Sequence, residues 1–397
     1  MKKLLFILLT ITILGTSYYF LSQEKPKQDK SNSIEERVKK QLKKMTLDEK
    51  IAQMLIIYYS SPTYDETLKQ TIKEVKPGGF ILMNDNISTY QNTLNLVKSM
   101  QKDSKIPMII SIDQEGGIVQ RLQKITDIEV TNIPSMLALG KTNDKNLAYN
   151  VGKIMAQQLK TLGINLDFAP VVDIYSNKDN KVIANRSFGS NSEEVTTMAL
   201  ALKQGLEDNN VNTCLKHFPG HGDTAVDSHY NLPVINKDYN DISKIELIPY
   251  YKAIKNNTNM IMIGHIALPK ITKDNTPASL SKEIITNLLK TKLKYQGLVI
   301  TDALNMKALT DNYSDKEIYT MAINAGVDLL LMPNGSRKAI EYIKQSIKEK
   351  KITEQMINTS VTKILTYKYN HVKEEYLDSS YLNKEEYHEI LNQIKNP

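Results

Sequence analysis

Short apolar runs recur along this chain, and a stretch with helical spacing separates each from the next. That alternation is the signature of a parallel α/β sheet with helical crossovers. Strands are expected at 79–83, 106–112, 164–168, 212–216, 260–264, 298–301 and 327–332, with an eighth within 54–59. The spacing predicts helices near 89–101, 147–162, 193–207, 241–255, 281–293, 318–325, 337–348 and 353–369. Another opens at the capping box Thr46-Leu47-Asp48-Glu49. Eight such units predict an α/β chain closed as a (β/α)8 TIM-type barrel, a single catalytic domain. An open doubly wound sheet is the alternative.

Lys2 and Lys3 precede an uncharged run at 4–21, and a polar stretch follows at 24–33. Residues 1–23 therefore read as a signal peptide or membrane anchor, 24–34 as a polar linker, and 35–397 as the barrel with C-terminal helices. The run is 18 residues long, near the minimum for a hydrocarbon core of about 30 Å. Gly15-Thr16-Ser17 is a weak cleavage site, which favours an uncleaved anchor; a core helix is the competing reading. No cysteine follows the run, which excludes a lipoprotein anchor. The expected location is outside the cell or on the outer face of the cytoplasmic membrane, with membrane contact through this segment alone.

The net charge of +7 comes from scattered lysines without an arginine block, so no nucleic-acid partner is expected. The one cysteine, Cys214, excludes an internal disulfide and a cysteine metal cluster.

In a barrel, chemistry sits just past the C-terminal strand ends. Polar residues collect there: Asp113 and Glu115, Asp167 and Asp173, Lys216 and His217, His265, and Asp302. One such aspartate commonly caps the next helix, but several strand ends together argue for a site. The densest stretch, Lys216-His217-Phe218-Pro219-Gly220-His221-Gly222-Asp223-Thr224-Ala225-Val226-Asp227-Ser228-His229, holds three of the six histidines. It is the expected source of a proton donor, and Gly220 and Gly222 around His221 suggest a mobile lid. His217, His221 and His229 with Asp223 or Asp227 could instead ligate zinc, although their spacing matches no zinc signature. His221 also reads as a structural histidine. No phosphate-binding glycine loop occurs.

The loop, together with Asp113-Gln114-Glu115-Gly116-Gly117-Ile118-Val119-Gln120-Arg121, Asn165-Leu166-Asp167-Phe168-Ala169-Pro170-Val171-Val172-Asp173, Asn185-Arg186-Ser187-Phe188-Gly189 and Thr301-Asp302-Ala303-Leu304-Asn305-Met306, resembles family 3 glycoside hydrolases. The likeness is to their bacterial β-N-acetylglucosaminidase branch and runs from about residue 43 past 325. It implies a barrel, a catalytic nucleophile at Asp302, and an acid/base dyad at Asp227 and His229. The Asp-x-His spacing lets the carboxylate favour the imidazolium while the other ring nitrogen protonates the leaving oxygen. Asp113 and Arg121 match residues that hold hydroxyls of the non-reducing sugar. Arg186, Lys216 and His217 match further glycone contacts, and Asp173 and His265 support residues.

The same resemblance implies no metal or organic cofactor, a carbohydrate partner of the GlcNAc-MurNAc cell-wall type, and a monomer. Two departures stand out: Ile118 replaces an arginine common in relatives, and Ala303 follows Asp302 where a second carboxylate often stands. A β-glucosidase or broad exo-hexosidase is the alternative within the family, although its relatives usually draw their acid/base from a later domain. An inactive carbohydrate-binding surface protein is the alternative of another class.

Overall fold

The computed structural model describes residues 33–224 and 231–394. The residues of the expected leader and most of the expected linker, with Asp227 and His229 of the expected dyad, lie outside them. Eleven strands run in chain order: β1 (Leu55–Ile57), β2 (Gly79–Leu82), β3 (Ile109–Ile112), β4 (Gln114–Gly116), β5 (Val119–Gln120), β6 (Leu166–Asp167), β7 (Asn212–Thr213), β8 (Leu215–Phe218), β9 (Met260–Ile263), β10 (Leu298–Thr301) and β11 (Leu330–Leu331). Six form a parallel sheet in the order β11-β1-β2-β3-β6-β7, three form a second in the order β10-β9-β8, and β4 and β5 pair as a hairpin.

The two parallel sheets are continuous in the chain. β7 and β8 are one run interrupted at Cys214, whose N–H reaches the carbonyls of Asp167 and Ala169. Val171 bridges Lys216 beside this break, and Ile300 bridges Leu329 where β10 meets β11. The outcome is a TIM-barrel-like α/β fold.

The strands form because their apolar residues are needed on both faces. Every residue of β1, β2, β3 and β8 to β11 is buried, as expected of parallel strands covered by helices. Side-chain caps start the helices: Thr46 forms the expected capping box with Glu49, and Thr89, Asp144, Asn191 and Thr353 cap others. Each such cap contributes about 1 kcal/mol.

Just past the strand expected at 106–112, Gln114–Gly116 form β4 of the hairpin. Two local expectations change. The helix at 241–255 is two, Tyr239–Lys244 and Ile248–Lys255, with Pro249 in the first turn of the second. The stretch near 281–293 winds as a π-helix over Glu283–Lys292, with the Leu293 N–H on the Leu288 carbonyl, five residues back. Among the described residues no helix is long and apolar enough to cross a membrane.

Opposite the strand C-termini, the helices Ile34–Lys44 and Leu47–Gln53 pack on the helix Glu354–His371. Lys368 is fully buried there and donates to Gln53 Oε1 at 2.7 Å. Burial pushes its ammonium down to about 7. An unfolded lysine titrates near 10.4, so between about pH 7 and 10 the unfolded chain binds the extra proton and stability rises with pH. Lys368→Met removes that contribution. The wild-type-minus-variant unfolding free energy, followed by denaturant titration, should climb by roughly 2–5 kcal/mol across this window; a flat difference would refute the buried neutral amine.

Candidate active site

The C-terminal strand ends enclose a cavity of about 170 Å³. Its charged wall is built from four parts of the chain: Asp113 just past β3, Glu115 in β4, Lys216 and His217 in β8, and Arg186 at the end of the 3-10 turn Ala184–Arg186. Lys216 Nζ lies 2.6 Å from both Asp113 Oδ1 and Glu115 Oε1. Arg186 grips Glu115 with two bonds, Nε to Oε2 at 2.7 Å and Nη2 to Oε1 at 2.8 Å, and its Nη1 donates to the Val182 carbonyl at 3.3 Å.

Burial alone would protonate Glu115, but the Arg186 and Lys216 charges outweigh it and hold the carboxyl well below its ordinary range. Burial likewise disfavours charged Lys216, yet Asp113 and Glu115 hold its ammonium above the ordinary lysine range. Arg121 approaches Asp113 at 3.8 Å, and its buried Nε has no hydrogen-bond partner among the described residues. Its donors are therefore largely unspent.

A second tier lies behind His217. Asp173, fully enclosed, accepts from the backbone N–H of His217 at 3.2 Å and of His221 at 2.7 Å, and its Oδ2 meets His217 Nδ1 at 2.7 Å. Burial raises the Asp173 carboxyl, but His217 and the His221 N–H bring it below the usual range. His221 packs edge-on to His217 with ring centroids 5.8 Å apart, and its Nδ1 meets Thr224 Oγ1 at 2.8 Å. Burial, then the neighbouring His217, pushes His221 down to about 4, so the ring is neutral at pH 7. Asp167, buried beneath the charged wall with the Gln114 N–H on its Oδ1, goes the other way: desolvation raises it well above the carboxylate range.

Asp302 stands immediately after β10, its N–H on the Ile263 carbonyl at 3.0 Å and its Oδ1 accepting from the Ala303 N–H at 2.8 Å. Burial opposes ionisation, but His265, His217 and the Ala303 N–H prevail, so the carboxyl is held below its ordinary value and is ionised at neutral pH. His265 is itself oriented by Ser279 Oγ at 2.7 Å and by the Ala303 carbonyl at 2.9 Å. The remaining wall is apolar and rich in methionine: Met83, Met262, Met306 and Met332, with Ala303 and Leu331.

The structure thus brings Asp113, Arg121, Arg186, Lys216, His217 and Asp302 to one cavity. Glu115 belongs with them, although the sequence marked it only as a strand-end acid; its signal was the two-residue step from Asp113. Ile118 is 75% exposed on the hairpin tip, and the neighbouring Val119 lines the cavity in its stead. Among the described residues no three His, Cys, Asp or Glu side chains converge to hold a metal ion.

The loop expected as a mobile lid is described as far as Thr224, and there it is closely packed. An added Cβ at Gly222 would lie 1.7 Å from the Ile174 carbonyl oxygen, and one at Gly220 would lie 2.8 Å from Glu246 Cβ. Gly222 serves close packing, Gly220 combines a close contact with a φ of +133°, and His221 between them is buried.

The profile described as "Glycosyl hydrolase family 3 N terminal domain" matches residues 46–367. The chain belongs to glycosyl hydrolase family 3. It is 34% identical to Beta-hexosaminidase A of Pseudoalteromonas piscicida in an alignment of 334 residues that covers 77% of this chain and 55% of that protein. It is 31% identical to Beta-hexosaminidase LpqI of Mycobacterium tuberculosis over 328 residues, 81% of this chain and 82% of that one. This family 3 chain also resembles the solved glycoside hydrolase family 3 beta-N-acetylglucosaminidase from Paenibacillus sp. str. FPU-7, with a TM-score of 0.82 and 31% identity, over 88% of this chain and 68% of that one. It spans just over half of the first relative and about four fifths of the second.

Two substitutions test the geometry. Glu115→Gln leaves Arg186 and Lys216 buried without their shared acid and should cost about 3–5 kcal/mol at neutral pH. Because the folded carboxyl titrates below the unfolded one, this gap should be full above about pH 4.3 and close as pH falls further; a pH series of urea melts reads it. Gly222→Ala should lower the melting temperature; an unchanged melt would overturn the close-packing role of this glycine.

Proposed function

We propose that the chain is an exo-acting, retaining β-N-acetylglucosaminidase that removes a terminal non-reducing N-acetylglucosamine through a covalent glycosyl–Asp302 intermediate. The observation that carries this reading is Asp302, held ionised in one cavity with the Asp113, Glu115, Lys216 and Arg186 network. The family and the names of its relatives support it.

The charged wall suits a ring of hydroxyls, because hydrogen bonds to ionised partners are shorter and stronger than neutral ones. Arg121, Arg186, Lys216 and His217 would hold the glycone, and Asp113 would accept from it. Ile81, Met262 and Leu331, all strand residues, lie along the inner wall, an arrangement that suits a chain end. As the bond from the anomeric carbon to the leaving oxygen breaks, an Asp302 oxygen forms a bond to that carbon, and the carboxylate offsets the developing positive charge. His229, its imidazolium favoured by Asp227, gives its proton to the leaving oxygen. Water then attacks the same carbon, returns a proton to His229 and frees Asp302. No step needs a metal or an organic cofactor.

The leader-like N-terminus extends the reading to an exported monomer acting on β-linked GlcNAc-MurNAc cell-wall fragments, with membrane contact through that segment alone. The Ile300–Leu329 bridge supports a closed (β/α)8 ring over an open sheet.

Soluble protein beginning near Ser33 should hydrolyse 4-nitrophenyl N-acetyl-β-glucosaminide in chelator, with inversion excluded by NMR of the first-formed sugar. Asp302→Asn should lower kcat by ~10³-fold or more. His229→Ala should slow a natural disaccharide by ~10²–10⁴-fold while sparing the activated aryl substrate much more. Preference for the glucoside, or equal losses on both substrates, would overturn the glycone or the acid assignment respectively.

A further inference from the structure

Asn180 is 1% exposed and uses every hydrogen-bonding position of its amide. Its Oδ1 accepts from the N–H groups of Val182 at 3.0 Å and Ile183 at 2.9 Å. Its Nδ2 donates to the His221 carbonyl at 2.8 Å and to Thr224 Oγ1 at 3.3 Å. The orientation is unambiguous, because a flipped amide would set its NH2 against two backbone donors.

The two sides of this amide reach different parts of the cavity. The Oδ1 side shapes the turn that delivers Arg186: the Asn180 carbonyl accepts the Ala184 N–H at 3.3 Å, and the Val182 carbonyl receives Arg186 Nη1 at 3.3 Å. The Nδ2 side holds the backbone of His221, whose N–H rests on the same Asp173 oxygen as the His217 N–H. Arg186 and His217 both line the cavity.

We propose that Asn180 is a positioning residue for the reaction, fixing the spacing across the cavity between Arg186 and His217. This role rests on the glycosidase reading above. A buried polar group left unsatisfied costs stability wherever it lies, so stability alone does not test the role. A displacement of about 1 Å in a binding group can cost ~10²-fold in rate, so kinetics do.

Asn180→Asp is the discriminating change. One carboxylate oxygen keeps the Val182 and Ile183 bonds, while the other faces the His221 carbonyl without a proton to donate. On the aryl N-acetyl-β-glucosaminide, kcat/KM should fall ~10–100-fold, with a raised KM. Thr224→Val, which removes the hydroxyl from the same link, should lose activity in the same direction but less. The decisive readout is a double-mutant cycle: Asn180→Asp disturbs the His221 side, so in a His217→Ala background it should add little, because the group held on that side is gone.

Asn180→Asp that lowers the melting temperature yet keeps kcat/KM within about twofold would overturn the role. A loss that adds in full to that of His217→Ala would do the same. Folded wild type without turnover would sink the glycosidase reading and the positioning role with it, whereas active wild type with an additive cycle would sink the positioning role alone.

Discussion

Four buried or half-buried charges, Asp113, Glu115, Lys216 and Arg186, hold the open end of this fold together. They come from distant chain segments, with Glu115 and Arg186 71 residues apart and Asp113 and Lys216 103 apart. Charges taken from water are expensive, and their attraction offsets that cost only when geometry is close and lone pairs are used. Here two acids face two bases at 2.6–2.8 Å, so the cluster is neutral and nearly saturated. A cluster of this kind is a poor way to gain stability and a good way to fix donors before a ligand arrives, since little reorientation is left to do.

Asp302 sits opposite in character. Its carboxylate has one backbone donor and no ion pair among the described residues, and it stays ionised through the surrounding positive potential. The contrast separates carboxylates held in ion pairs from one that is not. Burial leaves the His221 ring neutral at pH 7 and raises the Asp167 carboxyl well above its ordinary value. The methionine-rich wall completes an amphipathic cavity, matching a sugar whose hydroxyl edge and C–H faces differ in the same way.

The architecture was legible because buried parallel strands are written as plain apolar runs: 298–301 matches β10 without adjustment, and the strand sought within 54–59 is β1. Less was legible where one residue type serves two physical ends. A glycine lacks a Cβ whether the chain must bend or must touch a neighbour, and at Gly222 only the Ile174 carbonyl, far off in sequence, decides for contact. Gln114-Glu115-Gly116-Gly117 has the composition of a loop, yet Gln114 and Gly116 pair across a hairpin. Asp302, Lys216 and His217 stood out as strand-end residues, whereas the place of Glu115 at the centre of the network depends on partners that local spacing cannot reveal. Arg121 and Arg186 were singled out through family likeness alone, because neither lies at the end of a strand expected from the sequence.

The 1.7 Å clearance at Gly222 has a consequence for how such sites diverge. Residues 173–186 and 217–224 interlock through the Ile174 carbonyl, the Asp173 carboxylate and the Asn180 amide, so neither has an independent shape. They form one structural unit. A histidine loop exchanged alone between relatives would arrive without the surface that moulds it, while both segments exchanged together would carry their mould with them.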